Sequence, residues 1–360
     1  MIIDAHVHLY PDQGGHQTGR PLNQQLALMQ DSIGEFWGRM VTSHQDRKYI
    51  PDPNEDVGFR VVDYGRWAWR KHGENCWLQR GSPLIKKMEH TPEQLIAAMD
   101  AAGVDIGVVQ TDIEYLDLER GRTSYFESTI DSYSQRLLVT FALDFSLSHD
   151  DAHLDLELSQ LEQCIAKGFR GVYLSGVGLP EPLDDPRCDN LWRTISQLKT
   201  PVYVQTGFCT KSRYLEQLRG LLNVLERYSD LTIIESHFGG NLLHPKHPDY
   251  TDILKDLAPL MSTQQFYLEL GYVLGYEDER YWGNNAHYPF PAHKNLVRQL
   301  YDIWGSTHLV WGSDIPWCYR VCTYQQVLDL IKENTSYMSV QERQSVLGGN
   351  MAQLFDVTVA

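Results

Sequence analysis

The chain has 360 residues, 42% hydrophobic and 22% charged, the balance of an ordinary water-soluble globular protein long enough to bury a large core. Its formal charge of −16 opposes binding to nucleic acid or to an anionic membrane, so the expected partner is a small molecule. No apolar run approaches the roughly 20 residues of a membrane span, no basic segment with an apolar core opens the chain, and the six cysteines form no C-x-x-C pair, so a reducing, cytoplasmic compartment is expected.

The first element is the run Ile2-Ile3-Asp4-Ala5-His6-Val7-His8-Leu9, read as a strand. Strict alternation puts Ile3, Ala5, Val7 and Leu9 on one face and Asp4, His6 and His8 on the other. Two imidazoles on alternate positions of a rigid strand suit a metal site. The competing reading is a half-exposed edge strand whose histidines bind nothing.

Residues 10–90 follow, an interval too long for a simple connection. It carries Trp37, Trp67, Trp69, Trp77, Tyr49 and Tyr64 together with Arg60, Arg66, Arg70 and Arg80. We read it as a partly helical cap over a barrel mouth, with a packed excursion or an oligomer contact as the alternative.

From residue 91 onward, strand-like and helix-like segments alternate. Thr91-Pro92-Glu93-Gln94 offers an N-cap, a proline at the first helical position and a capping-box glutamine, and Gly103 stops that helix. Leu154, Leu158, Leu161 and Ile165 mark one face of another helix ending before Gly168. Capping patterns recur at Thr323 to Gln326 and at Ser339 to Glu342. With 2–9, the apolar stretches 106–111, 137–143, 169–174, 202–207, 232–237, 266–270 and 309–314 make eight strands, which predicts one (β/α)8 TIM barrel spanning 1–360.

Reactive groups of such a barrel gather at the carboxyl ends of its strands. His6 and His8 end the first, Gln205 lies at the end of the fifth, His237 of the sixth and Asp314 of the eighth. Glu269 on the seventh is costly to bury unpaired, so an inward Glu269 must touch the site. Trp317, Trp311, Trp282 and Tyr281 are candidate pocket walls, though aromatics are commonly plain packing. Gly176-Val177-Gly178 lacks the third glycine of a dinucleotide loop, His244-Pro245-Lys246-His247 reads as a surface loop, and Cys318 and Cys322 read as structural thiols.

These motifs resemble the amidohydrolase superfamily, specifically the branch that contains aminocarboxymuconate semialdehyde decarboxylase and related hydrolases and lactonases. The resemblance rests on Asp4-Ala5-His6-Val7-His8, Ala101-Ala102-Gly103-Val104-Asp105, Ser236-His237-Phe238-Gly239-Gly240, Gly312-Ser313-Asp314-Ile315-Pro316-Trp317 and Gly348-Gly349-Asn350-Met351-Ala352. It implies a divalent ion, zinc or manganese, held by His6, His8, a fifth-strand histidine and Asp314, with His237 beside it as acid, base or polarising group. Here Gln205 stands where that histidine is expected. An amide oxygen is a weaker and harder ligand than imidazole, so the site holds its ion more loosely, recruits Glu269, or works without one.

The expected activity is hydrolysis of a small carboxylated or aromatic-derived ester, lactone or amide by activated water, with Asp314 and His237 catalytic. Arg66, Arg70, Glu269 and Trp317 are the expected substrate contacts, with Arg80 and Arg170 as further arginines able to grip a carboxylate. Non-oxidative decarboxylation is the alternative chemistry, and a ligand-binding barrel without turnover is a third reading. Homodimers are common among related barrels.

Overall fold

In the computed structural model, residues 1–14, 22–37, 40–111, 123–175, 179–206, 211–239, 251–271 and 287–358 are described. The strands among them, in chain order, are β1 Ile3–His8, β2 Arg60–Val62, β3 Arg66–Lys71, β4 Glu74–Gln79, β5 Ile106–Gln110, β6 Leu137–Ala142, β7 Gly171–Leu174, β8 Val202–Val204, β9 Ile233–Glu235, β10 Phe266–Leu270 and β11 Leu309–Trp311. β1 and β5 to β11 form one parallel sheet in that order, each of them falling on one of the eight stretches predicted from sequence. The ring is drawn shut just beyond β11: His8 N donates to Ile315 O at 2.7 Å and Asp314 N to His6 O at 2.9 Å.

Both faces of the sheet are covered, which is why its strands read as nearly continuous apolar runs. Ile106, Val108, Leu138, Tyr173, Tyr203, Ile234, Tyr267 and Val310 fill the interior, with Met351 and Phe355 near the C-terminus. Val109, Val139, Val172, Val202, Ile233, Leu268 and Leu309 belong instead to the larger cluster shared with the surrounding helices.

β1 departs from the expected alternation. Asp4 pairs with Gly107 but Val7 pairs with Val109, so β1 has one residue more than β5 across that step. This is a β-bulge, which bends a strand and re-aims its side chains. Ile3 and Ala5 pack in the interior cluster while Val7 and Leu9 pack in the outer one. The single apolar face predicted for Ile3, Ala5, Val7 and Leu9 is therefore corrected. Past the bulge, His6 joins the interior side, where His8 also points, whereas the Asp4 carboxylate turns outward to the Tyr324 hydroxyl at 2.9 Å.

The helix signals are present as read. Capping boxes are complete at Thr91 with Gln94, Thr323 with Gln326, and Ser339 with Glu342, and Gly103 takes the left-handed conformation after the helix Pro92–Ala102. The helix Asp151–Ala166 buries Leu154 and Leu161 against the barrel. No helix among the described residues is long and apolar enough to cross a membrane, and the five described cysteines are buried and not joined in disulfides.

Between Tyr10 and His90, which exchange backbone hydrogen bonds of 3.1 and 2.9 Å, the chain leaves the barrel. It forms the helix Leu22–Phe36 and the antiparallel sheet β2-β3-β4, with a core that includes Met29, Ile33, Trp37, Phe59, Trp69 and Leu78. The sequence reading foresaw helix here but not the sheet. Ser82 Oγ donates to Tyr319 O at 2.6 Å, joining this excursion to the loop after β11.

One buried histidine makes stability depend on acid. His293, in the helix Pro291–Trp304, accepts from Asn334 Nδ2 at 2.9 Å, and burial lowers its pKa to about 4. The unfolded chain protonates near pH 6.5 and the folded one does not, so stability is full above that value and falls as the pH drops toward 4. His293 should contribute a loss of about 2–3 kcal/mol by pH 4.5. Urea unfolding of His293→Gln at pH 7 and 4.5 is expected to show a correspondingly smaller loss; equal losses in both proteins would refute the assignment.

Candidate active site

His6, His8, His237, Glu269 and Asp314 are buried and gather at one point. His6 Nε2 lies 2.9 Å from His8 Nε2, and Asp314 Oδ1 lies 3.0 Å from His8 Nε2 and 3.9 Å from His6 Nε2. The ring of His237 stacks on His6 with centroids 4.4 Å apart. Each group arrives by a different local device: His6 by the bulge in β1, Glu269 by plain alternation in β10, and His237 from the turn that follows β9. Asp314 comes from the bend that follows β11. His237 and Asp314 have φ of 62° and 58°, a left-handed conformation that non-glycine residues adopt at a cost and that is concentrated at functional sites.

A frame of hydrogen bonds holds these rings. Glu269 Oε2 takes His6 Nδ1–H at 2.8 Å, and Gln110 O takes His8 Nδ1–H at 3.1 Å. With protons assigned in this way, both Nε2 lone pairs converge. Asp4 accepts from Ser313 N at 2.9 Å and from His6 N at 3.1 Å, fastening the bend before Asp314 to β1. Gly312 opens room for the Glu269 carboxylate: a Cβ there would stand 2.8 Å from Glu269 Oε1.

Burial opposes charge on every one of these groups, yet their mutual influence decides which are ionised. Burial pulls His6 below the ordinary imidazole pKa, despite Glu269. Burial also works against charge on His237, but Glu269, 3.5 Å from its Nδ1, and Asp314 outweigh it and raise the pKa. Asp314 and Glu269, which burial alone would raise, are held below the ordinary carboxylate range by the surrounding imidazoles. The surroundings thus favour charge on a carboxylate able to take a proton and on an imidazole able to give one, the separation that acid–base chemistry needs.

Two Nε2 lone pairs and a carboxylate oxygen within 3.9 Å of one another form an electron-rich concavity. Ligands of a tetrahedral zinc ion with bonds of 2.0–2.1 Å lie about 3.3 Å apart, so these three atoms fit a divalent cation. The donor atoms of His6, His237 and Asp314 also fall within 4.8 Å of one another.

The remaining expected contacts divide. Gln205 lies beyond β8, and its Oε1 accepts from the Tyr173 hydroxyl at 3.2 Å. The Tyr173 ring in turn stands edge-on to His6 at 5.9 Å, so Gln205 is linked to the cluster through that phenol. Trp317 packs edge-on to His8 at 6.4 Å. Glu269 was expected to touch substrate; its two oxygens instead face His6 and His237. Arg66 and Arg70 are not brought to the cluster. Both are exposed on β3, where Arg66 bonds Gln79 and covers Trp77 and Arg70 reaches Gly73 O. Arg80 lies closer to the cluster, buried with its guanidinium 4.5 Å from the Trp317 ring and 5.7 Å from Trp67. Arg170 bonds Phe355 O, away from these groups. Gly176 to Gly178, Cys209, His244 to His247, Tyr281 and Trp282 lie outside the described residues. Sequence reasoning missed Tyr173 and Tyr324, which carry no local signal for their roles.

A family model described as Amidohydrolase matches residues 3–357. No curated protein matches. Among solved structures, a probable 2-pyrone-4,6-dicarboxylic acid hydrolase from Acinetobacter baumannii, with citric acid bound, aligns over 99% of each chain at 18% identity and a TM-score of 0.59. An amidohydrolase from Burkholderia multivorans with bound zinc covers 76% of this chain and 90% of its own at 16% identity and 0.54. A 2,6-dihydroxybenzoate decarboxylase from Rhizobium covers 75% of this chain and 90% of its own at 14% identity and 0.51. At such identities the solved structures establish a shared barrel fold, on which different chemistries are built.

Proposed function

The chain belongs to the amidohydrolase family, and from that membership we propose that it hydrolyses a small carboxylated lactone, ester or amide at the mouth of the barrel. The observation that carries this reading is the buried meeting of His6, His8, His237 and Asp314, with Asp314 Oδ1 3.0 Å from His8 Nε2. Asp314 takes a proton from water, and His237, charged through Glu269 and Asp314, donates to the oxygen that gains negative charge or to the leaving group. Glu269 holds both His6 and His237 in place. Arg80, stacked on Trp317, offers positive charge for a substrate carboxylate beside the ring of His8.

His6 Nε2, His8 Nε2 and Asp314 Oδ1 would hold a divalent ion, zinc or manganese, which supplies electrophilic polarisation and a more acidic water. Gln205 adds no imidazole to that set, so the ion is held less firmly than by a full complement of nitrogen ligands. The buried, unbridged thiols among the described residues suit a reducing compartment such as the cytoplasm.

A panel of carboxylated lactones, esters and amides, followed by acid release in a pH-stat, is expected to yield a substrate. Chelation should abolish its turnover, and added zinc or manganese should restore it; full activity after chelation would refute the metal and leave Asp314 acting on water alone. Decarboxylation is the second reading, because a charged His237 is equally able to protonate carbon. Carbon dioxide release from carboxylated aromatic acids, with no hydrolysis across the panel, would favour it. Absence of both activities would overturn the enzymatic reading.

A further inference from the structure

A second group of metal-binding side chains lies apart from the barrel mouth and shares no residue with it. Asp144 follows β6, His149 sits in the connecting loop, and His153 and Glu157 occupy successive turns of the helix Asp151–Ala166. His149 Nε2 is 3.1 Å from Asp144 Oδ1, and His153 Nε2 is 3.9 Å from Asp144 Oδ2 and 4.0 Å from Glu157 Oε1. The imidazoles are stacked, with centroids 3.9 Å apart and planes 24° from parallel, so both Nε2 edges face one carboxylate.

Three further features make this a built site. Glu157 Oε2 accepts from Asp144 N at 2.9 Å, which anchors the carboxylate by one oxygen and leaves the other facing His153. The carboxylates are buried while the histidine side chains are about one-third exposed, so an ion can enter from solvent. His153 Nε2 is shielded from water and has no hydrogen-bond partner among the described residues.

We propose that Asp144, His149, His153 and Glu157 bind a divalent transition-metal ion, zinc foremost, which fastens the loop after β6 to the start of the following helix. Two imidazoles disfavour magnesium and calcium, which take oxygen ligands, and suit zinc with its mixed nitrogen and oxygen donors. The neighbouring Asp150, Asp151 and Asp155 add negative charge that favours cation capture.

Zinc titration of the chelator-treated full-length protein, by calorimetry and by melting temperature, tests this. Wild type is expected to take up one more zinc ion per chain than His149→Ala/His153→Ala, which should otherwise fold and keep its turnover. The part of the zinc-dependent rise in melting temperature that persists in Asp314→Asn should be missing from the double variant, whose remaining rise comes from the barrel mouth alone. Glu157→Gln, a smaller change, should weaken uptake at this site by at least about tenfold. Equal zinc uptake and equal thermal shifts in wild type and the double variant would overturn the proposal while leaving the reading of the barrel mouth untouched.

Discussion

Asp314→Asn is expected to lower kcat/KM by about a thousandfold, the scale of losing a positioned proton acceptor together with its charge. Asparagine keeps the shape of the side chain and tolerates the left-handed φ of 58° at this position. The backbone bond from residue 314 N to His6 O, 2.9 Å long, is therefore retained. What disappears is the anion beside His8 and one of the groups that keep His237 charged. Melting temperature should move by only a few degrees, which separates a chemical defect from a folding one. Full turnover in this variant, measured on the substrate found in the panel, would remove Asp314 from the mechanism.

Gly312→Ala should damage fold and chemistry together. The added Cβ would lie 2.7 Å from His6 Cβ and 2.8 Å from Glu269 Oε1, closer than carbon atoms pack. Residue 312 cannot back away, because its carbonyl lies against Gly271, where even a Cβ would come within 1.8 Å of Gly312 O. Nor can Glu269 yield without giving up its 2.8 Å contact with His6 Nδ1. We expect a loss of about 2–3 kcal/mol in unfolding free energy and at least about a hundredfold in turnover, as for displacing a residue that orients a ligand. Denaturant unfolding and kinetics on the same preparation check both; wild-type values for either would show that the contact relaxes more easily than its geometry implies.

The barrel was legible because its evidence is local. Buried parallel strands leave apolar, β-branched runs, and helix starts leave caps such as Thr91 with Gln94, each contained within a few residues. That His6, His237 and Asp314 lie at the same end of the barrel followed from their places at strand ends, although the turn that brings His6 inward did not. The bulge in β1 was not legible, because an extra residue exists only relative to the partner strand, and no window of one sequence contains both registers. For the same reason Arg66, Arg70 and Arg80 looked alike, whereas the difference between them is made by Trp317, more than two hundred positions away. Of the second metal-binding group, His149, His153 and Glu157 recur at intervals of four, but Asp144 joins them only once β6 has been placed.

The backbone hydrogen bonds that draw the eighth strand to the first are donated by His8 and Asp314 themselves, so the proposed reacting residues double as the buckle of the cylinder. A strain that springs the buckle separates the carboxylate from the imidazoles in the same event. New specificities in such a chain can be drafted in the excursion after the first strand or in the rim loops, where change is tolerated. At the buckle, architecture and reactivity are one inheritance and have to be altered together.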